Sequence, residues 1–330
     1  MVFAMGGYIP YQFAYNEGVL GRMLFFIGSV AAAQSWQLQE SGTTAGLRGI
    51  SAVSDRAAWA SGTKGTILRT VDGGETWRSA GPVAVADLDF RDVEGLSDLV
   101  AIAMSAGPGR ASRLYKTIDG GVNWMLLKTN QELDGFWDSI AMWDATHGIL
   151  MGDPVKGRFT ILTTADGVNW IEREGPKAEK DEAAFAASGT SLAVRGTREA
   201  WFATGGAGGG RVFHSEDAGK TWTVVKTSLR PAGEGAGIFS LAMAGVRGVA
   251  VGGDYKKADE AAGNIVVTSD GGGKWTVPPS APGGYRSAVA YLSARKMWIA
   301  VGTSGSDVSS DDGRTWRGFD AGAFNALGVA

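Results

Sequence analysis

Six variants of one short phrase, Ser/Thr-x-Asp-x-Gly-x-Thr-Trp, are spread along this chain and dominate what it can fold into. They run Thr70–Trp77, Thr117–Trp124, Thr164–Trp170, Ser215–Trp222, Thr268–Trp275 and Ser309–Trp316. Successive tryptophans stand 47, 46, 52, 53 and 41 residues apart. Self-similarity at such a period is the mark of a propeller or solenoid, in which no unit buries its apolar face alone.

Each phrase lies between two short apolar runs, as Thr66–Thr70 and Trp77–Ser79 flank the first, which places it on a hairpin turn. The aspartate at positions 72, 119, 166, 217, 270 and 311 can close that turn by accepting backbone N–H groups two or three residues on. The glycines after it supply positive φ without steric cost. The tryptophans at 77, 124, 170, 222, 275 and 316 carry apolar area into the seam with a neighbouring unit. All twelve residues therefore read as structural, since a catalytic carboxylate is not needed six times. Asn123 and Lys274 replace the Thr before the tryptophan, and the third box, Thr164–Trp170, is one residue shorter.

The phrase resembles the Asp-box, or bacterial neuraminidase repeat, of sialidases, two-propeller xyloglucanases and the photosystem II stability/assembly factor family. The resemblance covers essentially the whole chain after residue 35. It implies an all-β propeller of four-stranded blades, with residues 34–330 as one domain. Six repeats are complete. Trp36–Gln39 looks like a fourth strand with no blade before it, and Phe324–Ala330 like a first strand with none after it. Together they imply a seventh blade lacking its second and third strands; the alternative is a six-bladed ring with both remnants added as edge strands.

Short strands rich in Val, Ile and aromatics, such as Ala200–Thr204 and Met297–Gly302, recur between glycine turns and support the all-β reading. The 51 glycines suit many tight hairpins. Only the stretch 178–187 resembles a helix, and it reads better as a loop insertion before the fourth blade. A net charge of −3 argues against a nucleic-acid partner. With no cysteine, disulfide and thiolate chemistry are excluded.

Residues 1–33 form an N-terminal extension. Its apolar run Met23–Ala33 follows Arg22 and ends in small residues, like a secretory signal cleaved after Ala33. It is too short for a transmembrane helix, which needs about 20 residues. Residues 1–22 make a poor n-region, so Met23 is an alternative start. The expectation is an exported protein, periplasmic or extracellular.

Hairpin geometry sorts the loops onto two faces. The boxes share one; the loops between strands two and three, and the entries into each first strand, share the other. That second face is irregular and charged, and it is the expected binding face. Its candidates are Arg48, Asp89, Trp137, Asp138, Arg158, Arg211, Asp254, Tyr255, Lys256 and Arg286, with Asp153, Phe239 and Asn325 beside them. Guanidinium groups near aromatic faces suit a carboxylate or sugar.

A sialidase needs three arginines on one carboxylate and a tyrosine–glutamate pair; Arg48, Arg211, Arg286 and Tyr255 are the available residues, but no pairing follows from their spacing. A two-propeller cleft is absent from a one-propeller chain. His147 and His214 read as structural, no metal-ligand spacing appears, and no cofactor is implied. The resemblance thus implies a monomeric, non-catalytic scaffold for a protein partner or membrane-associated complex. The alternative is a glycan-binding protein or glycoside hydrolase of the sialidase kind.

Overall fold

The computed structural model describes residues 2–6, 22–27, 34–206, 210–229 and 233–330. It is an all-β propeller of four-stranded antiparallel blades, as the repeats require. Among the described residues the helical pieces are three single 3₁₀ turns, Gly109–Ala111, Tyr255–Lys257 and Ser293–Arg295. None of them is long and apolar enough to cross a membrane.

Six blades carry the boxes. The first contains Leu47–Ala52, Ala58–Gly62, Thr66–Thr70 and Arg78–Ser79, hydrogen-bonded in that order. The next three begin at Phe90–Gly95, Trp137–Met142 and Leu192–Arg195. The fifth begins at Gly233–Ala244, and its fourth strand shrinks to one bridge between Val267 and Thr276. The sixth begins at Ala288–Leu292.

One further four-stranded sheet joins the two ends of the chain. Its order is Ala326–Val329, Val2–Gly6, Arg22–Ile27, Ser35–Glu40. The remnants around Trp36 and Phe324 thus occupy the fourth and first positions of one sheet. The second and third strands, which the sequence reading leaves missing, come from the N-terminal extension. The apolar run at Met23, read from the sequence as a signal segment, begins within one of them. In the fold, Met23 pairs with Gln39 and Met5, so the start of that run is strand. Residues 28–33, with the expected cleavage position, lie outside the described residues.

The first strands contact one another in succession round the axis. Ala326–Val329 closes the circle, touching Ala288–Leu292 on one side and Leu47–Ala52 on the other. Joining the ends within a closing sheet removes the exposed edges that an open array of blades would leave.

The core is a series of seams between blades rather than one mass. Trp77 packs with Leu47, Leu68 and Ala326, and its Nε1 donates to Gln39 Oε1 at 3.2 Å. Trp124 meets Trp59 of the previous blade edge to face at 6.2 Å and donates to Ala80 O at 2.7 Å. Trp170, Trp222, Trp275 and Trp316 each pack likewise against the blade before. Burying such rings gives each seam a large share of its apolar area.

Inside each box the hydrogen bonds form a closed clasp. In the first, Thr70 Oγ1 donates to Asp72 Oδ1 at 2.7 Å and accepts from Gly74 N at 2.9 Å. Asp72 then accepts Thr76 N at 3.0 Å and Thr76 Oγ1 at 2.6 Å. The longer boxes reach the amide four residues on, at Thr76, Asn123, Thr221, Lys274 and Thr315, beyond the two or three residues a simple Asx turn spans. The extra residue in the turn accounts for the added step. In the short third box the reach is three, to Asn169. Asn123 and Asn169 replace the threonine hydroxyl with Nδ2 donors at 2.8 and 2.7 Å, so those departures are chemically equivalent. Lys274 offers Asp270 only its backbone amide.

Candidate functional site

A recurrent irregularity builds the face opposite the boxes. The register shifts by one residue at Arg48, Arg91 and Asp138, each second in its first strand, and at Phe239 within the longer strand Gly233–Ala244. A β-bulge of this kind leaves one residue unpaired and re-aims its side chain. Arg286 and Asn325 hold the matching sequence position before Ala288 and Ala326. Opposite this entry the second strand often offers glycine: a Cβ on Gly302 would stand 3.0 Å from the Arg286 Cα. The pattern places one chosen side chain about the axis from each blade but the fourth, whose first strand pairs without a shift.

Those side chains form two unlike halves. One half is aromatic: Phe239 stacks on Phe185 at 3.9 Å and meets Tyr285 edge to face at 4.9 Å, with Tyr255 at 6.3 Å. Burial pushes the Tyr285 hydroxyl far above the phenol range, against the nearby positive charge of Arg48. Both Arg48 and Tyr285 are buried. Tyr255 opens a 3₁₀ turn capped by Asp254, which accepts Lys256 N at 2.9 Å. The Lys256 ammonium lies over the Tyr255 ring at 5.8 Å.

The other half is acidic. Asp138 is buried, and desolvation, reinforced by the charge of Asp153, raises its carboxyl well above the usual range; Arg91 opposes the shift. Burial also pushes Asp153 up to about 6, while an accepted bond from Ala184 N pulls it back. Arg91 Nε donates to Asp89 Oδ2 at 2.8 Å. Two carboxylates in dry surroundings cannot both ionise cheaply, so this pair holds a proton at mildly acidic pH.

A short segment lies across the mouth between the halves. Ala184 N donates to Asp153 Oδ1 at 2.9 Å in the third blade. Phe185 stacks on Phe239 of the fifth. The Ala186 carbonyl accepts from Arg91 of the second at 3.3 Å, and Ser188 Oγ donates to Ser287 O of the sixth at 2.8 Å. Behind it Ser139 bonds Ser191 at 2.6 Å, and Thr190 bonds Ser240 at 2.7 Å. Ala184, Ala186, Ala187 and Ser188 are all buried. Hydrogen bonds to three blades and a ring stack on a fourth, from so few residues, place the segment across the mouth. It is the insertion that the sequence places before the fourth blade, and it acts as a plug.

The candidate residues therefore divide. Arg286 is buried against Asp307, with Nε–Oδ2 at 2.6 Å and Nη1 donating to Tyr285 O and Ser304 Oγ at 2.8 Å each. Arg211 is buried against Glu182, with Nε–Oε1 at 2.7 Å, and its guanidinium covers Phe213 at 4.7 Å. Each guanidinium is thus occupied by its own carboxylate, and the three arginines do not converge on an open site. Residues 207–209 of the loop before Arg211 lie outside the described residues. Trp137 and Asp138 are buried, whereas Asp89, Arg158, Asp254 and Tyr255 are partly exposed and Lys256 is exposed. Arg158 sits apart from the mouth, bonded to Gly175 O at 2.8 Å and paired with Glu174 at 2.8 Å.

Sequence reasoning missed Arg91, Glu182 and the plug. Arg91 was legible: Phe90-Arg91-Asp92 repeats the pattern of Leu47-Arg48-Gly49 and Tyr285-Arg286-Ser287. It also missed one grouping of metal-ligand type among the described residues, where ligand atoms of Glu199, His214 and Glu216 lie within 4.8 Å of one another. Glu199 and His214 sit on paired strands, with Glu216 just past the end of the second, and chain spacing hides the approach. Glu199 is already held by Arg195 at 2.6 and 2.8 Å, so the group is an ion pair with a stacked imidazole beside it.

No protein-family profile and no curated protein matches the chain. Solved structures do. YCF48 from Cyanidioschyzon merolae aligns with a TM-score of 0.53 at 19% identity, over 82% of this chain and 84% of that one. A YCF48 bound to a D1 peptide aligns with a TM-score of 0.41 at 16% identity, over 78% and 90%. The GH74 enzyme of Niastella koreensis aligns with a TM-score of 0.49 at 12% identity, over 92% of this chain and 64% of that one. At these identities the likeness is one of architecture. The chain has the propeller fold of the Cyanidioschyzon merolae YCF48.

Proposed function

We propose that this chain is a non-catalytic binding scaffold that holds a protein partner on its loop-rich face. One observation carries the reading: the charged groups that would grip and cleave a glycan are buried, plugged or tied to their own counter-ions. Arg286 and Arg211 are occupied, and Asp138 lies in the acidic half beside the plug. Of the accessible candidates on that face, Asp89 is paired with Arg91 and Arg158 with Glu174, which leaves the rim around Asp254, Tyr255 and Lys256. A partly exposed aromatic beside a flexible cation is a common anchor in protein recognition.

Export to the periplasm or beyond, and action as a monomer, belong to the same proposal. The apolar run ending in small residues supports export. The second and third strands of the closing sheet draw on the same segment, so in this reading the exported chain retains it rather than losing it by cleavage after Ala33.

A photo-crosslinking side chain at position 255, with position 122 on a box turn as control, tests the proposal in the native host. A discrete protein adduct from 255 and none from 122 is expected. Equal labelling from both, or turnover of a sialoside or polysaccharide lost on changing one carboxylate, contradicts it.

A further inference from the structure

The segment across the mouth is held as a bound peptide would be. Ala184, Phe185 and Ala186 follow the strand Glu182–Ala183 directly, before the chain bends at Ala187. Their amides two residues apart go to two carboxyls, Ala184 N to Asp153 Oδ1 at 2.9 Å and Ala186 N to Asp138. The Ala186 carbonyl accepts from Arg91 Nη1 at 3.3 Å. Amides at i and i+2 share one edge of an extended chain. The two acids and the arginine thus grip backbone and leave the identity of the side chains free.

The remaining contacts set which side chains fit. Between the two amides, the Phe185 ring lies on Phe239 at 3.9 Å and 10° from parallel. It packs in the cluster that also holds Ala187, Tyr285 and Tyr255. Ala184 and Ala186 are each 5% exposed, so larger side chains have no room at those places. The mouth therefore selects an aromatic residue with a small one on either side.

The chain is tied down on both sides of this stretch. Upstream, Glu182 accepts Thr204 Oγ1 at 2.6 Å and Arg211 Nε at 2.7 Å. Downstream, Gly189 has a φ of 73°, and a Cβ there would collide with the Asp92 carboxylate. A segment fixed at both ends returns to its site at an effective concentration on the order of millimolar. A separate peptide displaces it only when the plug is weakened or when the newcomer brings further contacts. The rim offers such contacts, since Tyr255 meets the same Phe239 ring at 6.3 Å.

Taking this face as the partner-binding one, we propose that its mouth is a binding site for an extended peptide of small–aromatic–small pattern, with Ala184–Ser188 as the autoinhibitory occupant. The test uses the full chain and the peptide amide Ala-Phe-Ala-Ala-Ser with a fluorophore at its C-terminal end, followed by anisotropy. Ala184→Pro with Ala186→Pro removes both plug donors. The peptide should bind this variant saturably, and about tenfold or more tightly than it binds the parent chain. Replacing the peptide's Phe with Ala should weaken binding about tenfold, the loss of a stacked ring. Arg91→Gln in the plug-weakened chain should cost about as much, the loss of one hydrogen bond from a charged group. Unchanged tryptophan fluorescence verifies that the variant is folded; if it unfolds, Phe185→Ala, which gives up only the ring stack, takes its place with the same expectations. No binding to the folded variant, equal binding to the parent, or indifference to the peptide's Phe overturns the proposal. Such a failure leaves a crosslink from position 255 standing, whereas loss of that crosslink with peptide binding retained counts against the rim alone.

Discussion

Ala184 donates its amide hydrogen to the Asp153 carboxylate at 2.9 Å, fastening the plug to the third blade. The bond joins a residue of the insertion to one at the mouth end of a second strand, and it sits where desolvation raises the carboxyl. Removing the acceptor leaves a buried amide unmet. Asp153→Ala should therefore cost roughly 1–3 kcal/mol in denaturant unfolding. Asp153→Asn keeps an oxygen acceptor without the charge and should recover most of the loss. Equal destabilisation by both variants would show that the charge, not the hydrogen bond, holds the plug.

The buried acids also set a pH dependence. Burial raises Asp153 from 3.8 to about 6 and Glu94 from 4.5 to about 8. The folded chain thus holds protons that the unfolded chain has released, and stability falls as pH rises through the window from about 4 to 8. The box aspartates act in the opposite sense below it. Hydrogen bonds hold Asp72 and Asp166 below the usual carboxylate range, so their contribution is present above that range and lost on acidification. Urea midpoints measured across pH should peak on the mildly acidic side, and Asp153→Asn with Glu94→Gln should flatten the decline towards pH 8. A maximum near pH 8 in the parent chain would refute this.

The fifth box offers a gain of stability. Thr268 donates to Asp270 Oδ1 at 2.7 Å, but Lys274 makes no side-chain bond of the kind Thr76 makes to Asp72 at 2.6 Å. Lys274→Thr should add that bond and raise stability by about 0.5–1.5 kcal/mol, with Thr76→Ala losing a similar amount. Thermal unfolding of the two variants decides it; no change in either would mean that the hydroxyl is idle.

The closing sheet makes a prediction about the N-terminal extension. Strands Val2–Gly6 and Arg22–Ile27 fill the space between Ala326–Val329 and Ser35–Glu40, and Val2 is buried with Leu327 and Phe324. A chain beginning at Gln34 should lose stability and expose Trp36, read as a red shift in fluorescence. An intact mass from the native host should include residues 1–33; a mass beginning at Gln34 with full stability would contradict the role of these strands.

Much of the architecture was legible in the sequence because it is periodic. Six boxes fix six hairpins, and the tryptophan after each fixes a seam with the blade before. The unpaired strands at Trp36 and Phe324 also announced a closing sheet. Local pattern could not show which strands complete that sheet, since Met23–Ile27 is as apolar as a signal segment and its pairing with Ser35–Glu40 carries no box. The site was less legible. Arg211 and Arg286 look free in the sequence because Glu182 and Asp307, their partners, lie 29 and 21 residues away along the chain. The plug is mostly small residues, Ala184 to Gly189, whose meaning comes from the backbone groups and hydroxyls they present to other blades and from the one ring, Phe185, stacked on Phe239.

The sealed mouth is what moves the expected binding surface outward to the rim at Tyr255, and amide hydrogen exchange at Ala184 and Ala186 measures the seal directly. Both amides should exchange as slowly as those of the inner strand Ile299–Val301 in the native protein. Exchange at the rate of an exposed loop would mean that the segment does not close the channel, and would return the acidic pair at Asp138 and Asp153 to the accessible face.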